Sequence, residues 1–153
     1  MNRILLLLVL LATVVLGCDR RNVSTRIAPS NMIGKFVDDY GIDYDISEST
    51  WTMGAEFKLE IIEWNLGEQF LLGQNHADNK HHAGRFTRID FMPLEQDMRP
   101  YEWGFCISAF DAESQSDARN VMIANRDSPK DGCNGHPFSR MKPIENSELN
   151  PPK

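Results

Sequence analysis

From residue 32 to 110 the chain alternates short apolar stretches with glycine, asparagine and aspartate, which is a strand-and-turn rhythm. "IGKFV" (33–37) is the first candidate strand and "DDYG" its turn. In "IDYDI" (42–46), Ile42, Tyr44 and Ile46 alternate with Asp43 and Asp45, as in a strand covered on one side. "AEFKLEIIEWN" (55–65) puts Phe57, Leu59 and Ile61 on one face, then resumes with Ile62 and Trp64 one step out of phase. Such a slip turns a core face outward unless an extra residue is absorbed, so a bulge is predicted at Ile61 and Ile62. "LGE" (66–68) reads as a tight turn in which Gly67 takes a positive φ, and "QFLLGQN" (69–75) as its return strand. "GRFTRIDFM" (84–92) sets Thr87, Ile89 and Phe91 against Phe86, Arg88 and Asp90, and "YEWGFCISAF" (101–110) aims Trp103, Phe105, Ile107 and Ala109 one way. Short loops between successive strands imply antiparallel neighbours.

The texture changes at "DAESQSDARNVMIANRD" (111–127). Ser114 followed by Asp117 is a capping-box type start, and Ala118, Val121, Met122 and Asn125 fall at helical spacing. A short helix packing Val121 and Met122 on the sheet follows. A last apolar piece lies at 138–141, and 144–153 reads as a flexible tail. Together these elements predict a mainly β fold: an antiparallel meander of about six or seven strands curled into a barrel-like or strongly bent sheet, with one short C-terminal helix.

Ahead of this domain, Arg3 and the unbroken apolar run "ILLLLVLLATVV" (4–15) have the charge and length pattern of a secretory signal. As a helix the run would reach about 18 Å, well short of the roughly 30 Å of a bilayer core. "VLGC" (15–18) resembles the lipobox of bacterial lipoproteins, with Leu16 where that family usually has a smaller residue. The resemblance implies that residues 1–17 are a signal peptide and that Cys18 takes a diacylglycerol and an N-acyl group such as palmitate. More than one acyl chain is what stable anchoring requires. Residues 18–31 would then be a lipidated N-terminus and tether, facing the periplasm from a bacterial cell membrane. Asp19, directly after the cysteine, favours the inner over the outer membrane in such lipoproteins. Arg20, Arg21 and Arg26 could touch anionic headgroups.

The chain has a formal net charge of −6, and without residues 1–17, whose only charged residue is Arg3, the balance is one unit more acidic. That speaks against phosphate-backbone binding as a main role, so nucleic acid is not an expected partner. Residues 32–143 suffice for one domain with one core. With Cys18 lipidated, an oxidising compartment and an even remaining count predict a Cys106–Cys133 disulfide, and there is no C-x-x-C spacing to suggest redox chemistry.

"IGKFVDDYGIDYDI", "QFLLGQN", "GRFTRIDFM", "YEWGFCISAFDA" and "DGCNGHPFSRM" resemble, over roughly 33–142, a group of small uncharacterised exported or lipid-anchored bacterial β-rich domains. The resemblance implies a single compact domain with paired cysteines and carries no catalytic residue and no cofactor. His76, Asp78, His81 and His82 are weak metal candidates, their spacing matching no established ligand motif. Asp127, Asp131 and Asn134 suggest a calcium loop, but Pro129 interrupts the alternation of oxygen ligands. Asp38, Asp39, Asp43 and Asp45 would serve hydrolysis only if a cleft held two of them with split pKa values. Arg88 and Asp90 share a strand face as an ion pair, with an anion clamp as the alternative for Arg88. Trp51, Trp64, Trp103, Phe57, Phe70 and Phe105 are core, unless a curled sheet leaves its inner face open to a ligand. The resulting expectation is a lipid-anchored envelope protein that acts without catalysis, by binding another envelope protein or a cell-wall component. The alternatives are a lipocalin-like small-ligand carrier and a small periplasmic hydrolase.

Overall fold

The computed structural model describes residues 27–144. The signal segment, the lipidation expected at Cys18 and the tail over 145–153 lie outside the described residues. Eight strands follow in order: β1 (Gly34–Asp38), β2 (Asp43–Ile46), β3 (Thr50–Met53), β4 (Phe57–Asn65), β5 (Phe70–Asn75), β6 (Phe86–Pro93), β7 (Trp103–Ala112) and β8 (Ser139–Pro143). Each pairs antiparallel with the next, and β8 returns to β1 through Phe36↔Pro143, Val37↔Lys142 and Asp38↔Met141, closing a barrel. Closure gives every strand a neighbour on both sides over at least part of its length. The count exceeds six or seven because two strands are short and faintly patterned: β3 buries only Trp51 and β8 only Met141.

Period-two alternation fills the interior. Phe36, Tyr44, Ile46, Trp51, Leu59, Trp64, Leu71, Ile89, Phe91, Trp103, Phe105 and Met141 form one buried cluster. Its centre is a set of edge-to-face rings, with Trp51 and Phe105 centroids 5.2 Å apart, Phe36 and Trp103 5.3 Å, and Tyr44 and Phe105 5.6 Å. That is the preferred geometry for aromatic pairs. The indole N–H of Trp64 donates to the Glu48 carbonyl, while those of Trp51 and Trp103 have no acceptor among the described residues and lie among the ring contacts. Gly73 faces Leu59, where a Cβ would lie 2.5 Å from Leu59 Cγ, so the glycine makes room for a core leucine. One end is plugged by Met32, carried on a 3-10 turn (Ser30–Met32). Ala28, a residue of the predicted tether, packs against the core.

The predicted bulge in β4 is present: the β4–β5 register shifts between Ile61 and Glu63, returning Trp64 to the interior. A second irregularity runs against the sequence reading. The β6–β7 register shifts between Arg88↔Ala109 and Ile89↔Ile107, so Ala109 leaves the face of Trp103, Phe105 and Ile107 and joins an outer cluster with Phe70, Leu72 and Ala118. The turn after β4 also differs, because the positive φ belongs to Gln69 (57°) and not to Gly67.

Helix α1 (Gln115–Asn120) begins as predicted, with Ser114 Oγ accepting from the Asp117 N–H. It is shorter than the spacing suggested, ending at Val121, which has extended backbone. Met122 is 86% exposed and does not pack on the sheet; Ala118, with Val121 at the edge, does. Residues 121–138 then return across the outer face of β5, β6 and β7, tied down by a disulfide between Cys106 and Cys133. Strand β6 is consequently buried on both faces over Thr87–Phe91.

Candidate functional site

The residues singled out in the sequence fall into structural roles. Asp38, 4% exposed, accepts from the backbone N–H groups of Tyr40 and Ile42 and from the Tyr44 hydroxyl at 2.8 Å. Asp39 holds Arg140, whereas Asp43 and Asp45 are exposed on β2, so the four acids form no working pair. His76 lies 3.4 Å from Asp78 and 3.7 Å from Glu60, and His82 stacks edge-on against Phe110. Among the described residues no group of three or more His, Cys, Asp or Glu is placed to hold a metal ion. The calcium candidates are dispersed in turns: Asp131 accepts from Ser128, and Asn134 has a positive φ of 51°.

Tyr44 has a measurable consequence. Burial first, and the hydrogen bond to Asp38 second, hold its phenol well above the ordinary value. The unfolded chain releases this proton near pH 10 while the folded barrel keeps it. Its contribution to stability is therefore complete below about pH 10 and is lost as pH rises further. Tyr44→Phe should flatten the decline of the urea midpoint between about pH 10 and 11 relative to the parent. An unchanged slope would refute this linkage.

Arg88 and Asp90 do pair on one strand face, and the structure adds partners the sequence did not reveal. Arg88 Nε and Nη2 each donate to Asp90 at 2.8 Å, Ser108 Oγ donates to Asp90 Oδ2 at 2.6 Å, and the Arg88 guanidinium lies 4.0 Å from the centroid of Phe70. Arg88 Nη1 also reaches the Arg119 carbonyl, and the Arg119 guanidinium grips Glu63, whose hydrogen bond raises the arginine's pKa. Arg126 is held by four acceptors: the carbonyls of Phe91, Glu68 and Gln69, and Asp90 Oδ1 at 2.9 Å. Two guanidiniums thus share one carboxylate that is 1% exposed. Buried charges persist only when paired and hydrogen-bonded in this way.

Arg126 also lines a surface cleft of about 610 Å³ between the β6–β7 loop and residues 126–140. That volume lies within the usual range for small-ligand sites. Met92, Leu94, Met98 and Phe138 supply an apolar floor. The β6–β7 loop contributes Glu95 and Asp97, and residues 126–140 contribute Arg126, Lys130 and Arg140 with one acid, Asp127. A smaller recess lined by Pro29, Met32 and Leu66 shares Met92 and Pro93 with it, placing the cleft beside the end where the N-terminal segment enters the barrel. No sequence motif announces the cleft, because its lining comes from loops and strand ends some thirty or more residues apart.

The fold and the cleft together define a class: a closed, up-and-down antiparallel barrel with a filled interior and an external groove. No protein-family model, no curated protein and no solved structure matches the chain.

Proposed function

We propose that this chain is a lipid-anchored envelope protein that works by binding, without catalysis. The observation that carries the binding reading is the contrast between a barrel whose interior is filled by Trp51, Trp64 and Trp103, all at 1% exposure or less, and an open cleft on its outside. A filled interior speaks against the lipocalin-like carrier. The acids considered for hydrolysis are engaged as turn caps and ion pairs or exposed on β2, which leaves the enzyme reading without a catalytic pair. The anchor rests on "VLGC" and the apolar run before it.

If Cys18 carries lipid, eight residues lie between the anchor and Ile27, and the stretch spans at most about 30 Å. The cleft would then work close to the lipid surface, within reach of another envelope protein or a cell-wall component. Cys18→Ala is expected to shift the protein from the membrane pellet to the soluble periplasmic fraction. Retention of the variant with the membrane at parental levels would refute the anchor.

A further inference from the structure

The cleft has a charge arrangement that narrows its ligand. Glu95 and Asp97 come from the β6–β7 loop and Arg126, Lys130 and Arg140, with the acid Asp127, from residues 126–140, and no ion pair within 4.0 Å joins the two sets. Arg126 and Arg140 are each held by one carboxylate, Asp90 and Asp39, while Glu95, Asp97 and Lys130 have no ion-pair partner among the described residues and are left for a partner to satisfy. Arg126 is fixed by its four acceptors, while its Nη1 has no acceptor among the described residues. A guanidinium already immobilised loses little conformational entropy on binding. The charge is also in surplus, since Arg88 and Arg126 share Asp90, and of that pair Arg126 is the more open, its side chain 26% exposed against 6% for Arg88. Arg140 is oriented by Asp39 and by the face of Tyr101, 4.7 Å from the ring centroid. Between the charged walls the floor is methionine, leucine and phenylalanine, and methionine adapts to irregular apolar shapes.

From this we infer that the cleft binds a short zwitterionic peptide with an apolar body, its ammonium against Glu95 and Asp97 and its carboxylate against Arg126, Lys130 and Arg140. A phospholipid headgroup fits less well, because its ammonium and phosphate have no apolar side chain between them to cover the floor. The inference deepens the binding reading above and depends on it, but not on the lipid anchor.

The test uses the full-length chain in phosphatidylcholine nanodiscs with methyl-labelled methionine. Free trileucine is titrated beside its N-acetylated and C-amidated forms, which each lack one charge. Free trileucine should shift the Met92 and Met98 methyl signals and leave Met122 and Met141 in place, and blocking either end should weaken binding about fivefold, the scale of one exposed ion pair. In Glu95→Lys the advantage of the free over the acetylated peptide should shrink, and in Lys130→Glu that over the amide. Both positions are exposed, so the barrel is expected to fold in either variant. No methyl shift, equal binding of the blocked forms, or shifts that follow exchange of the lipid for phosphatidylethanolamine and not the peptide would each overturn the inference. Fractionation of Cys18→Ala addresses the anchor alone, so either result can fail without the other.

Discussion

Asp90→Ala should lower the free energy of unfolding by about 3–5 kcal/mol, the scale on which removing one partner leaves a buried charge uncompensated. Asp90 takes hydrogen bonds from Arg88, Arg126 and Ser108, and its removal strands Arg88, which is 5% exposed, against the end of α1. Against a typical total of 5–15 kcal/mol this is a large fraction. Urea unfolding followed by tryptophan emission would measure it, since all three indoles are buried in the interior. A loss below about 1 kcal/mol would show that water reaches the pair. Arg88→Met combined with Asp90→Leu should recover much of the loss, because an apolar replacement of a whole buried pair is often neutral or stabilising.

The second large effect concerns the disulfide. Cys106 and Cys133 are 27 residues apart with Cα atoms 5.5 Å from each other, and serine at both positions should cost about 3–4 kcal/mol in the chain-entropy account. The loss should be uneven. Amide hydrogen exchange is expected to accelerate first across 121–138, which loses its covalent tie, with β1 to β5 following only at global unfolding. Uniform acceleration would mean that the outer segment and the barrel open as one unit. The same segment carries Arg126 and Lys130 of the cleft, so the double-serine variant should also weaken peptide binding.

Legibility in the sequence followed how strongly each position was patterned. The bulge in β4 was readable because Ile61, Ile62 and Trp64 are large and visibly out of phase. The irregularity in β7 was not, since Trp103, Phe105, Ile107 and Ala109 run in unbroken alternation and an alanine suits either face. The Arg88–Asp90 pair follows from a period of two, whereas its partners Ser108, Arg119 and Arg126 come together only by long-range packing. Val121 and Met122 carried a helical spacing past the point where the backbone turns extended. The disulfide needed only a count and a compartment. The cleft lay beyond reach because neither wall has a period, and loop-built concavities leave no regular signal.

The closing seam of the barrel sets the order in which the molecule can be completed. Strand β1 cannot finish its pairing until β8 arrives, and Phe36↔Pro143 joins nearly the two extremes of the described chain. Contacts of such sequence separation form late, since their loop entropy must be met before they return any stabilisation. A chain delivered N-terminus first therefore holds β1 as an open edge, with Phe36 and its neighbours uncovered, until the last strand has emerged. During that interval the half-built sheet is a target for aggregation or for a chaperone, and any truncation ahead of β8 would make the interval permanent.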